Sequence, residues 1–456
     1  MSKSTLALTS LSLSMLLSSL DTSIANVALP ALAAAFHASF QPVQWIVLAY
    51  LLAVTALIVS AGRLGDVLGR RRLFLAGIFT FTASSVLCGL APSLRLLIAA
   101  RALQGTAAAV MMALTVALVS ETVPAGQTGR AMGLLGTMSA VGTALGPSLG
   151  GLLIAQFGWR SIFLINAPLG LAALLLAARY LPFDCPAQTT KFDHAGTLLL
   201  AITLGSYALA VTTRHGHADI RLLLFALIAA IFFIAVEAKT ASPLLRLEML
   251  RETKLSVSLA MSAIVSTVMM ATLVTGPFYL SRTLGLGAAR VGLVMSAGPL
   301  VAALTGIPAG RLADRFGTAR MTAIGLAGIA LGAFAQSLMP AAFGVAGYIL
   351  PIIVMTSHYA LFQTANNTAI MSGVRGDQRG VISGMLSLSR NAGLITGASV
   401  MGAVFAATGL RVTYAIAGTL IAAALSSYAF LAATRSRTFG WRGTLRAEKT
   451  SDCRLN

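Results

Sequence analysis

Two residues in this chain carry charge where nothing around them does. Asp21 lies in "LDTSIANVALP" (residues 20–30), directly after the apolar run "LALTSLSLSMLLSSL". Arg101 lies in "LLIAARALQG" (residues 96–105). A charged side chain at the centre of a hydrocarbon layer costs about 2.5–3.5 kcal/mol on insertion scales, so it requires a partner or a purpose. A carboxyl group that passes between dry and wet surroundings also changes its hold on a proton. The chemistry on offer is reversible proton binding, with a guanidinium to balance the ionised acid.

The surroundings are apolar because the chain reads as a membrane protein. Hydrophobic residues make up 57% of it and charged residues 10%, against about 25% charged in a soluble domain. A bilayer core about 30 Å thick needs about 20 apolar residues of helix per crossing. Fourteen such segments are expected. Six run near 5–29, 43–62, 73–90, 97–119, 131–153 and 161–180. Two lie near 193–213 and 219–237. Six more lie near 256–280, 290–309, 319–338, 345–368, 383–406 and 411–432. The first reads as a retained helix and not a cleaved leader, because no small-residue cleavage site follows its apolar run.

Charge sets the orientation. The net charge is +19, from 32 Lys and Arg against 13 Asp and Glu. With the N-terminus inside and the segments alternating, 24 basic residues fall on the cytoplasmic side. Seven fall outside: Arg95, Arg160, Arg214, Arg221, Arg282, Arg290 and Arg411. Only Arg101 remains within a segment. This asymmetry predicts an even number of crossings and two cytoplasmic termini. It also explains the positive charge without nucleic acid; the basic tail (435–456) suits lipid head groups or solvent. Three scattered cysteines and five scattered histidines supply no disulfide framework or metal site. No nucleophile triad or phosphate loop is present, so an enzyme is not expected and energy must come from an ion gradient.

Asp21 alone among the acids lies well inside a segment. Arg101 lies about eight residues from the outer end of the fourth, or ~12 Å deep. Asp21, nine residues before Pro30, lies at a similar depth, so the two are expected to pair. A static pair that only fixes packing is the alternative, although desolvation offsets most of the attraction in such a pair.

The chain also repeats itself. Residues 61–69 read "AGRLGDVLG" and residues 309–317 read "AGRLADRFG", each after the second segment of a group of six. Eight segments separate the copies, so both face the same side, as in parallel-repeat transporters. The expected architecture is all-α: two six-helix bundles (1–183 and 255–434) related by a pseudo-two-fold along the membrane normal, with two inserted helices (184–254). In each copy the flanking glycines (Gly62 and Gly69; Gly310 and Gly317) are expected to form a tight turn. Asp66 and Asp314 would then lie near helix ends, where exposed N–H groups favour a carboxylate. In the fifth segment Gly142, Gly146, Pro147, Gly150 and Gly151 form a smooth, bent face for close helix approach. Tight packing alone also explains such glycines.

At these motifs the chain resembles the major facilitator superfamily, and more narrowly its fourteen-helix drug:proton antiporter branch. The resemblance runs from "LDTSIANVALP" to "RNAGLITGASVMGAVF" (390–405). It implies a proton-driven exporter in a bacterial-type inner membrane, working by alternating access as a monomer with no cofactor. It implies that Asp66 caps a helix of the opposite bundle and closes an inner gate, that Asp314 mirrors it, and that Arg70 pairs with Glu121. Val67 departs from the family pattern, and the second copy lacks the later Arg pair, so the two gates are not expected to be equal. The glycine pattern resembles the antiporter signature, and Arg101 with Gln104-Gly105 the fourth-helix motif linked to proton transfer. The expected mechanism is competition at Asp21 between a proton and a cationic or amphipathic small molecule. Polar and aromatic groups that could line its path are Asn26, Gln44, Trp45, Tyr50, Asn166, Tyr279, Gln363, Asn366, Asn367 and Asn391, although such groups can equally join neighbouring helices. An importer of sugar or anion, and a membrane sensor or scaffold, are the rival readings.

Overall fold

The computed structural model describes residues 3–123, 128–183, 193–212, 219–240, 249, 251–371 and 379–451. The stretches flanking the insert fall largely outside this set, as do Cys185 and Cys453. The described residues are all helical or connecting, because a backbone in lipid must satisfy its own hydrogen bonds. In order they form α1 (Lys3–Ala35), α2 (Phe40–Leu68), α3 (Arg70–Leu90), α4 (Leu94–Thr122), α5 (Thr128–Phe157), α6 (Ser161–Leu164) and α7 (Asn166–Tyr180). Then come α8 (His194–Thr212), α9 (Ile220–Glu237), α10 (Thr253–Phe278), α11 (Ala288–Phe316), α12 (Thr318–Leu338), α13 (Gly344–Met371), α14 (Arg379–Thr396) and α15 (Gly402–Ser451). Two π-helical turns extend this pattern, at Tyr279–Thr283 after α10 and at Gly397–Met401 between α14 and α15.

Among the described residues, thirteen helices are long and apolar enough to cross a membrane. The last of them runs over Ile382–Phe430, 49 residues, at 1.5 Å per residue more than twice the depth of a bilayer core. It is broken at Gly409, whose φ of 80° is not helical. The expected sixth segment is also interrupted, at Ile165, into α6 and α7. That break places Asn166 at the first position of α7.

The repeated motif is helical for most of its length, which corrects the expectation of a loop. Gly62 and Gly310 lie inside α2 and α11 and make no turn. The turn is made by the last glycine of each copy alone: Gly69 at φ 94°, ψ 125° and Gly317 at φ 86°, ψ 142°. Only glycine enters this region without a steric penalty. Two positions 248 residues apart in the sequence thus share one backbone conformation.

One core cluster is built mainly from α1–α4 and α7, around Leu11, Phe74, Phe81 and Phe163. A second is built mainly from α10–α13 and α15, around Val265, Ile329, Tyr348 and Tyr414. They interleave: Val27 of α1 packs in the second, and Phe278 of α10 in the first. The inserted helices α8 and α9 pack on each other, and α8 on α2. Ser60 and Thr197 share a hydrogen bond of 2.6 Å, and the Trp45 indole donates to Thr212 at 3.0 Å.

Glycines set how closely helices approach. A β-carbon at Gly142, Gly146 or Gly150 would lie 2.5–2.7 Å from atoms of Leu16, Ser23 or Ile24, so one face of α5 lies on α1. Gly151 points the other way: its β-carbon would lie 2.9 Å from the Gly292 α-carbon on α11. Gly133 and Gly310 lie on those same two faces, eighteen residues or five turns away. A β-carbon at Gly133 would meet nothing within 4 Å, and one at Gly310 only Thr364 at 4.0 Å. α5 and α11 therefore touch at the end far from the N-terminus and diverge toward the end near it.

Candidate functional site

Asp21 and Arg101 meet as the sequence predicts. Arg101 Nη1 donates to Asp21 Oδ2 at 2.5 Å, and the two residues are 1% and 0% exposed. Three more helices complete the site. Gln104 Nε2 and Asn166 Nδ2 both donate to Asp21 Oδ1 at 2.9 Å. Arg101 Nε donates to the Ile46 carbonyl on α2 at 3.1 Å, and Nη1 to Gln104 Oε1 at 2.6 Å. Gln104 Nε2 also donates to Ser85 Oγ on α3 at 2.7 Å. The guanidinium lies 4.3 Å from the Tyr50 ring centroid. Helices α1, α2, α3, α4 and α7 thus converge on one buried ion pair. A buried pair is tolerable only when further hydrogen bonds fill the remaining lone pairs and protons, and here both carboxylate oxygens are filled.

This geometry corrects one expectation. Asp21 does not face an open path in this state; it is sealed within the first core. With three donors on its oxygens it is not placed to hold a cationic substrate directly.

The second expected group forms at the end near the N-terminus. Asp66 Oδ1 accepts from Arg70 Nε at 2.9 Å, and Glu121 Oε1 accepts from Arg70 Nη1 at 2.6 Å. Arg70 therefore bridges both acids, including the expected Glu121. All three belong to α2, α3 and α4. Among the described residues, Asp66 makes no bond to the opposite bundle. Their side chains are 33–40% exposed, so solvent screens the attraction. Asp314 is exposed and forms no ion pair among the described residues; its neighbour Arg315 stacks on Phe316 instead. Among the described residues the mirrored position lacks the mirrored contact.

The remaining polar residues do not share one cavity. Tyr50 and Asn166 belong to the Asp21 network. Trp45 ties α2 to α8, and Asn366 Nδ2 donates to the Ser258 carbonyl of α10 at 3.3 Å. Asn26 donates to Thr22 within its own helix, and Tyr279 stacks on Tyr348. Gln363 and Asn367 are half-buried, and Asn391 is buried. Gln44 is 1% exposed with neither amide atom hydrogen-bonded. A pair of buried acids, Asp193 and Glu237, went unmarked in the sequence. Asp193 Oδ2 and Glu237 Oε1 each lie 2.5 Å from the β-carbon position of Gly196, at the near-end termini of α8 and α9. Their place at helix ends suggested exposure; the glycine between them was the only signal.

Long apolar helices around two interleaved cores and a buried ion pair define an integral membrane protein of helical bundles. Residues 11–394 and 258–453 match the Major Facilitator Superfamily profile, and the chain belongs to that superfamily. It is 34% identical to the uncharacterized transporter YebQ of Escherichia coli (strain K12), over 84% of this chain and 85% of that one. It is 31% identical to the riboflavin transporter RibZ of Clostridioides difficile (strain 630), over 86% of each. It is 32% identical to the multidrug resistance protein Stp of Mycobacterium tuberculosis (strain CDC 1551 / Oshkosh), over 85% of this chain and 73% of that one. Among solved structures, a D-xylose-proton symporter superposes with a TM-score of 0.69 at 15% identity, over 94% and 97% of the two chains. That likeness concerns the fold alone.

Proposed function

We propose that this protein is a proton-driven exporter of amphipathic small molecules, cationic ones among them, working by alternating access. The observation that carries the reading is the Asp21–Arg101 pair, sealed inside a single bundle. An ionised Asp21 satisfies Arg101, Gln104 and Asn166 together. A proton on Asp21 cancels the attraction and leaves Arg101 as an uncompensated buried charge, which is strongly unfavourable. The bundle must then rearrange or admit water. Protonation is thereby tied to shape, and the proton acts on the substrate path indirectly and not by competing for one carboxylate. The divergence of α5 and α11 toward the N-terminal end supports an inward-open state, with that end cytoplasmic. That Asp66 makes no bond to the opposite bundle among the described residues accords with an open inner gate. We further take Gly409 as the turn between a thirteenth and a fourteenth crossing, with the two bundles related by a two-fold axis.

Similarity to Stp favours drugs as substrates, and similarity to RibZ favours a flavin-like metabolite. Both are amphipathic, and Asp21, being fully bonded, gives a cation no special advantage.

The test is export of ethidium from everted vesicles with and without an imposed proton gradient, for the parent and Asp21→Asn. The parent should respond to the gradient, and correctly inserted Asp21→Asn should lose that response. Full gradient-driven accumulation by Asp21→Asn rules the coupling role out.

A further inference from the structure

At the far end, where the bundles meet, a cleft of about 580 Å³ opens between α2, α10 and α15. This volume is in the range of small-molecule sites. Its walls are aromatic. The Phe40 ring packs edge-on against Phe278 with centroids 4.8 Å apart, and lies 5.7 Å from Phe405. Arg282 lines the same cleft, its guanidinium 5.1 Å from the Phe278 centroid. Ser39, Gln41 and Thr283 add polar atoms at the rim, and no carboxylate lines it.

Two further observations single this place out. One turn deeper on α2, the Gln44 amide presses against Gly402 beside the Phe40 ring. It is 1% exposed, and both its oxygen and its nitrogen lack hydrogen bonds. A buried amide with two empty bonding positions is unfavourable, so it points to a state in which Phe40 moves and the amide finds partners. The two π-helical turns also flank the cleft: one carries Arg282, and the other ends next to Gly402. Such turns concentrate at functional sites.

From this geometry we infer that the cleft is a far-side binding site for planar aromatic compounds bearing an acidic group, with Phe40, Phe278 and Phe405 holding the ring and Arg282 the anion. The site rests on the export reading only for its place as the last station before release. The charge on Arg282 selects among aromatic compounds: it attracts an anion and repels a cation, against the preference of the Phe ring faces, which by themselves favour a cation. The substrates favoured here are aromatic anions, a narrower class than amphipathic drugs in general.

The experiment is equilibrium dialysis of the purified full-length protein in lipid nanodiscs, with empty nanodiscs as control. Fluorescein serves as the aromatic anion and ethidium as the aromatic cation. Fluorescein should bind the parent, and Arg282→Gln should weaken it about tenfold, the worth of one charge-assisted hydrogen bond. Ethidium affinity should not fall. Arg282→Lys, which keeps the charge, should retain most of the affinity, and Phe405→Leu should weaken fluorescein. Absence of fluorescein binding to the parent overturns the site, as does equal weakening of both dyes by Arg282→Gln. The companion measurement is gradient-driven efflux. Arg282-dependent binding in a protein that exports neither dye keeps the site and defeats the export reading. Efflux that persists with fluorescein affinity unchanged in Arg282→Gln does the reverse.

Discussion

Gly151 and Gly292 meet backbone to backbone: the only side-chain volume either glycine could add would fall 2.9 Å from the other's α-carbon. This contact sits at the apex of the V formed by α5 and α11. Gly151→Val should disfavour the closed far end by about 1–3 kcal/mol, the usual range for overpacking. Spin labels on Ser39→Cys and Thr283→Cys, one on each side of the far-end cleft, should move apart in this variant. An unchanged distance distribution would mean that the contact does not hold the far end shut.

Removing one partner of the buried pair should be worse than removing both charges. Arg101→Gln alone leaves a buried carboxylate, and losses of about 3–5 kcal/mol are usual in that situation. Asp21→Asn combined with Arg101→Gln should recover part of this loss. Thermal unfolding of the four proteins in one detergent decides the matter; strict additivity of the two single effects would show that the residues do not act as a pair.

The Asp66–Arg70–Glu121 group should contribute little to stability and more to turnover. Its partners are about one-third exposed, and such pairs are worth about 0.2–1 kcal/mol. Glu121→Gln should shift the melting temperature only slightly while changing the transport rate. A large loss of stability with unchanged transport would assign the group to packing.

The motif glycines should separate by position. Gly69→Ala forces a side chain into φ 94°, at a cost of about 1–2 kcal/mol. Gly62 lies inside α2 with nothing within 4 Å of its β-carbon position, so Gly62→Ala should be neutral or stabilising by up to about 1 kcal/mol. Melting temperatures of the two variants should fall on opposite sides of, or at, the parent value. Equal losses would place the turn elsewhere.

Much of this architecture was legible because lipid imposes length and charge imposes direction. The depth of Asp21 in α1 and of Arg101 in α4 was enough to pair them, since helix rise is a fixed ruler. The two copies of the motif foretold two equivalent turns, although not that the turn is confined to Gly69 and Gly317. What could not be read was direction around each helix axis. A membrane helix is apolar on every face, so Asn166 carried no mark that it turns toward Asp21, whereas Gln104, three residues after Arg101, shares its face. For the same reason the sequence left Asn366 and Trp45 open between lining a path and joining helices, and they join helices. Asp193 and Glu237 were hidden by the habit of placing terminal acids in water, and Asp21 itself was expected to be open where it is closed.

The turns at Gly69 and Gly317 are the same shape, but among the described residues only the first has an ionic clamp beside it. The near ends of the two bundles are therefore braced internally by different forces. Rising ionic strength loosens the contacts that Arg70 makes among α2, α3 and α4, and among the described residues it meets no ion pair to weaken at Asp314.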